Sequence, residues 1–163
     1  MSNFSITRDG VDGLVQSRSR LAVSVAVVSW WIAVVVLAVT AVLKLIGVFQ
    51  TIPLWETNEP LFDVPFRPFL VAVALGELLV AILILRTSDF LTKGILLAIP
   101  CLGFIGYRIA NWLSGIAAPC SCLGVPDAWW PWLATNQQIV SATMLFLLVA
   151  STAILIFIGY IFR

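Results

Sequence analysis

Between Leu21 and Leu43 the chain carries no charged side chain. As a helix rising 1.5 Å per residue, such a run is about 35 Å long, enough to cross a hydrocarbon core of about 30 Å. Inside a bilayer each backbone amide must be satisfied within its own segment or a closed barrel, so a long apolar run of this kind becomes a helix. Three more apolar runs follow, and the expected spans are residues 21–49, 69–85, 94–117 and 139–162. The second is the shortest and carries Glu77. With 61% hydrophobic and 10% charged residues in a chain of 163, composition also excludes an ordinary soluble domain.

The fold class is therefore all-α: a polytopic membrane protein, a four-transmembrane-helix bundle. Residues 21–163 form one membrane domain, and residues 1–20 form a polar, mobile tail. The first run is a span and not a signal peptide, because a signal's apolar region covers only about 7 to 15 residues.

Lysines and arginines near helix ends set the orientation. Arg8, Arg18 and Arg20 precede the first span, Arg86 and Lys93 separate the second and third, and Arg163 ends the fourth. All fall on one side, which the positive-inside rule makes cytoplasmic, so both termini are expected inside. The opposite side holds Arg67 among Glu56, Glu59, Asp63 and Asp127, together with the loop that bears Cys120 and Cys122. In a bacterium this is a multi-pass inner-membrane protein whose cysteine loop faces the periplasm, where thiols are kept oxidised. Trp55, Trp112, Trp129, Trp130 and Trp132 read as an aromatic belt at that outer interface.

Local signals place the helix ends. Thr87 or Ser88 is suited to cap the third helix, Thr135 with Gln138 has the form of a capping box opening the fourth, and Pro68 suits the first turn of the second.

The chain has no histidine, which removes histidine-ligated haem, histidine-containing zinc sites and histidine-dependent nucleophiles. It has no glycine-rich phosphate loop and no basic surface for nucleic acid. The chemistry must come from three buried charges and the cysteines.

Lys44, Glu77 and Arg108 lie within or at the edge of the spans, all in the outer half, beneath the cysteine loop. An unpaired charge there costs about 2.5 to 3.5 kcal/mol on insertion scales, so Glu77 is expected to find Arg108 or Lys44. Helical spacing supports a shared polar interior. Thr40, Lys44 and Gly47 recur on one face of helix one, and Cys101, Arg108, Asn111 and Gly115 on one face of helix three, with bulky Phe104 among them. Such a cluster reads either as a structural ion pair or as a site that binds something polar.

Cys120 and Cys122 sit one residue apart in Pro119-Cys120-Ser121-Cys122-Leu123-Gly124. A disulfide between them closes a small, strained ring, and strained disulfides are strong oxidants. The pair thus reads as redox-active; two thiolates holding Cu(I), or an unbonded pair in a turn, are the alternative readings. Cys101, next to Pro100, reads as a core residue.

The four-helix layout, the lysine at the end of helix one, the glutamate in helix two and the Pro-Cys-x-Cys-x-Gly turn together resemble the MauE branch of the DoxX-like membrane proteins. The resemblance spans Val23 to Tyr160, with Lys44, Glu77, Cys120, Cys122 and Gly124 at the matching positions. Thr40-Ala41 stands where an Ala-Gly pair is frequent, and Leu123 where an aromatic residue is common. The Cys-x-x-Cys of vitamin K epoxide reductase-like enzymes is absent. The resemblance implies a redox-associated role in disulfide formation during maturation of exported proteins, or in electron transfer to a quinone. Two functions are therefore weighed, the second also because the long uncharged fourth helix and the seven tryptophans suit lateral packing in lipid. One is a thiol-disulfide oxidoreductase acting on a periplasmic thiol protein through Cys120 and Cys122, with Lys44, Glu77 and Arg108 serving a quinone. The other is a non-catalytic subunit of a larger membrane redox complex.

Overall fold

A computed structural model describes residues 8–49, 58–59, 61–115 and 136–162. Four helices are long and apolar enough to cross a membrane. Helix α1 covers Arg8–Val48, α2 Phe66–Arg86, α3 Phe90–Leu113 and α4 Gln137–Ile161, and a two-residue hairpin, β1 at Asn58–Glu59 and β2 at Val64–Pro65, precedes α2.

The boundaries depart from the sequence reading most at α1 and α3, while α2 starts three residues early and α4 two. Helix α1 begins at Arg8, so the helix continues through most of the segment expected to be a tail, and its apolar span is Arg20–Val48. Helix α3 runs from Phe90 to Leu113 and not from 94 to 117. Its cap is Asp89, whose carboxylate accepts from the Thr92 backbone N–H at 2.7 Å and from the Thr92 hydroxyl at 2.7 Å. The orphan Thr92 N–H finds its acceptor in Asp89 and not in the threonine or serine just before it, and the helix starts at Phe90. At its other end α3 closes on Gly115, whose φ of 65° is the left-handed conformation that glycine adopts without strain. Gly115 therefore terminates the helix and does not extend the polar face.

Neighbouring helices run antiparallel. Val48 at the end of α1 packs on Phe66 and Leu70 at the start of α2. Helices α3 and α4 make the closest interface because two glycines remove the obstacle. A Cβ on Gly159 would lie 2.5 Å from the Leu91 backbone nitrogen, and one on Gly94 would lie 2.7 Å from Ile156 Cγ1. Small residues give membrane helices this close approach, where van der Waals packing replaces the hydrophobic drive. Helix α1 packs against both α2 and α4, whereas α2 and α3 touch much less. Leu37, Ile84, Leu97 and Leu155, one from each helix, meet at 0% exposure in the core. Outward-facing Val35, Leu79, Ile99 and Phe157 present an apolar surface to lipid.

Candidate functional site

The polar interior lies in the half of the bundle where α1 ends and α2 begins. Thr40 and Lys44 are one helical turn apart on the inward face of α1 and are both buried. Glu77, on the buried face of α2 that also carries Leu70, Ala74, Ala81 and Ile84, meets them. Lys44 Nζ pairs with Glu77 Oε1, and the Thr40 hydroxyl donates to Glu77 Oε2 at 3.1 Å. Each carboxylate oxygen thus faces a donor, and the single Thr40 hydrogen is shared with the Val36 and Leu37 carbonyls at 3.0 and 3.1 Å. On its other side the Lys44 ammonium lies 5.1 Å from the centroid of the Phe104 ring on α3. The expectation that Glu77 finds a buried cation is met by Lys44.

Arg108 takes a different partner. Its guanidinium donates to the Ser141 hydroxyl of α4 at 3.1 Å, and Ser141 in turn donates to the Gln138 carbonyl at 3.1 Å. The physical reason is packing: α3 lies tightly on α4 and only loosely on α2, so Arg108 is held toward α4. Because α3 ends at Leu113, Arg108 is five residues from the helix end, about 8 Å deep. Among the described residues it has no carboxylate partner.

Between these groups is a half-enclosed cleft of about 50 Å³, lined by Thr40, Lys44, Phe104, Arg108, Ser141 and three apolar residues of α4, Met144, Leu145 and Leu148. The lining is mostly apolar, with cationic and hydroxyl groups contributed by Lys44, Arg108, Thr40 and Ser141. The cleft suits an electron-rich oxygen or an anion attached to an apolar body.

A second polar cluster closes the same end. Glu59, at 0% exposure, accepts from the backbone N–H groups of Leu61 and Phe62 at 2.9 and 2.8 Å and from the Tyr107 hydroxyl at 2.9 Å. Asn58 donates to Asp63 at 2.8 Å, and Asp63 takes a φ of 51° to turn the chain. The rings of Phe62, Phe69 and Tyr107 follow one another at 5.9 and 6.2 Å between centroids. The hairpin is thereby fastened to α3 at the residue next to Arg108. The sequence places Glu59 among the acidic residues of the outer side and gives no sign of Tyr107 or Ser141. An acid in a connecting segment and a serine in a helix carry no periodic signal; only Phe104 and Thr40 shared a face with the charges already noted.

Cys101 is buried, and its thiol lies 3.4 Å from the Thr152 hydroxyl in the α3/α4 interface, in keeping with a core role. Cys120, Cys122 and Gly124 lie outside the described residues, as do Thr135 of the expected capping box and four of the five belt tryptophans; Trp112 is 79% exposed. The connection that carries the two cysteines leaves α3 and enters α4 at the end where Arg108 and Ser141 stand.

Four spanning helices with a sealed ion pair and a cationic cleft in one half define a multi-pass membrane protein with a polar interior concentrated toward one end. Residues 21–158 match the family model described as methylamine utilisation protein MauE, and the chain belongs to the MauE family. No curated protein matches the chain. No solved structure matches it either.

Proposed function

We propose that this MauE-family protein sits in the bacterial inner membrane with both termini cytoplasmic, and exchanges disulfides through Cys120 and Cys122 on the periplasmic side, supporting maturation of exported proteins. The observation that carries the proposal is the cleft between Lys44, Arg108 and Phe104, which lies at the end of the bundle from which the cysteine-bearing connection departs. Intramembrane charges are expensive and tend to mark function, and here one cation, Arg108, is left without a carboxylate among the described residues.

In the exchange, a thiolate of the exported protein attacks one sulfur of the Cys120–Cys122 disulfide and releases the other as a thiolate. A second thiolate of the substrate then attacks the mixed disulfide. The substrate gains a disulfide, Cys120 and Cys122 gain two electrons and, with two protons, become a dithiol. Regeneration requires an acceptor of two electrons and two protons, and a membrane quinone supplies that chemistry when bound. The cleft's lining suits it: the Arg108 guanidinium can hold a quinone oxygen, with the paired Lys44 in the same lining, and Phe104 and Met144 offer apolar contact. Its volume admits the oxygen-bearing edge of a ring and not a whole head group, since a closed cavity that takes benzene measures about 150 Å³.

The test is oxidation of a reduced dithiol peptide by the full chain in proteoliposomes supplied with a short-tailed ubiquinone. Cys122→Ser should abolish turnover; full activity in that variant would overturn the scheme.

A second reading, a non-catalytic subunit of a larger redox complex, is favoured by one observation. On α3, Gly103 and Gly106 are exposed with open space where a Cβ would be, the kind of surface another membrane helix packs against. Stoichiometric co-purification with a larger assembly, with activity indifferent to Cys120→Ser and Cys122→Ser, selects this reading.

A further inference from the structure

The two cations of the cleft are not equivalent. Lys44 is 2% exposed, its charge is matched by Glu77, and its remaining face is covered by Phe104. Arg108 is half-buried, has Ser141 as its hydrogen-bonding partner among the described side chains, and lines the same cleft. With the Lys44–Glu77 pair neutral as a unit, the described lining carries one net positive charge, on the guanidinium. A guanidinium keeps its charge in an apolar setting and presents several donors in a rigid fork, of which the contact to Ser141 occupies one nitrogen.

We infer that Arg108 is the receptor of the cleft, binding the oxygen-bearing edge of the electron-rich head of an apolar-tailed membrane molecule, and that Ser141 is the residue that positions it, while Lys44 is reserved for holding α1 to α2. This rests on the cleft being a ligand site, as the proposed function has it, but it makes no use of the cysteines. Ser141 is set for its role because it spends its own hydrogen on the Gln138 carbonyl, leaving its oxygen as an acceptor aimed at Arg108. Met144 and Leu145 of α4 line the same cleft, so an apolar tail can lie against that helix while its head meets the fork. The same chemistry is offered by a quinone oxygen and by a lipid carboxylate, and both arrive through the bilayer.

The test is binding of decylubiquinone and, separately, of palmitate to the full chain in phosphatidylcholine nanodiscs, read as a dissociation constant with no thiol reaction involved. Arg108→Gln should weaken binding by about tenfold or more, as expected for loss of a charged hydrogen-bond donor. Ser141→Ala should weaken it about threefold, and Ser141→Thr, which keeps the hydroxyl, should restore it; a role in folding alone gives no such rescue in affinity. Lys93→Gln, a buried cation at the other end of the bundle, serves as the control and should bind as the parent does. Binding of decylubiquinone lost in Arg108→Gln supports both the inference and the acceptor reading. Binding of palmitate alone, lost in the same variant, supports the receptor role and removes the quinone. Parent-like affinity in Arg108→Gln, or no binding of either probe by the parent, overturns the inference. Where Arg108→Gln does not fold, Ser141→Ala and its threonine rescue decide the same point.

Discussion

Lys44 of α1 and Glu77 of α2 are joined in an ion pair with both side chains 2% exposed, inside a bundle whose outer faces are apolar. Removing two charges from water is costly, and their attraction offsets that cost only when the remaining lone pairs and protons are satisfied. Here Thr40 supplies the second carboxylate oxygen with a donor, and Phe104 faces the ammonium. The pair fixes the rotation of α1 against α2 and leaves Arg108 as the cation facing the cleft.

Breaking that pair from one side should be far worse than replacing both members. Lys44→Met is expected to lower stability by about 3 to 5 kcal/mol, because it strands a buried carboxylate, while Lys44→Met with Glu77→Leu should cost much less. Unfolding in a mixed-micelle denaturant titration, arranged as a double-mutant cycle, measures the difference.

The glycine contacts between α3 and α4 predict a position-specific intolerance. Gly159→Ala should destabilise the bundle by about 1 to 3 kcal/mol, because the new methyl meets Leu91 backbone that cannot easily give way. Gly106→Ala, with open space at the same test position, should change thermal stability in detergent little or raise it slightly.

Glu59 should govern the order of the hairpin. Its carboxylate accepts three hydrogen bonds, two from backbone amides and one from Tyr107. Glu59→Ala leaves those donors unsatisfied, at about 1 to 3 kcal/mol for each that stays buried. Hydrogen exchange at the Leu61 and Phe62 amides should speed up sharply, and Tyr107→Phe should do so only in part.

At the opposite end Lys93 is 6% exposed, with its ammonium 4.1 Å from the Trp30 ring centroid and 5.8 Å from that of Phe90. Trp30→Leu should lower the melting temperature by an amount equivalent to about 2 kcal/mol, the scale of a desolvated cation–π contact. Trp31, which is half exposed and stacks on Trp30 with ring centroids 4.4 Å apart, makes no such cation contact among the described residues, and the same change there should give a smaller shift in melting temperature.

The helices were legible because a bilayer demands long uncharged runs, so Leu21 to Leu43 announces a span before any packing is known. Lys44 and Glu77 were legible for the related reason that a charge at such depth needs a partner. The partner of Arg108 was not, since the preference of α3 for α4 over α2 depends on Gly94 and Gly159 facing Ile156 and Leu91, a three-dimensional coincidence with no linear period. Asp89 was missed as a cap because Thr87 and Ser88 offer the same chemistry nearby. Glu59 and Tyr107 are separated by 48 residues, and nothing in either local sequence points to the other.

The most direct test of the account is the redox state of Cys120 and Cys122 in native membranes, followed by differential thiol alkylation and mass spectrometry across a glutathione series. The account predicts a reversible couple near or above about −200 mV, the range of labile, catalytic disulfides. A bond that stays closed below about −300 mV, or thiols that never oxidise, would contradict it and leave the loop structural.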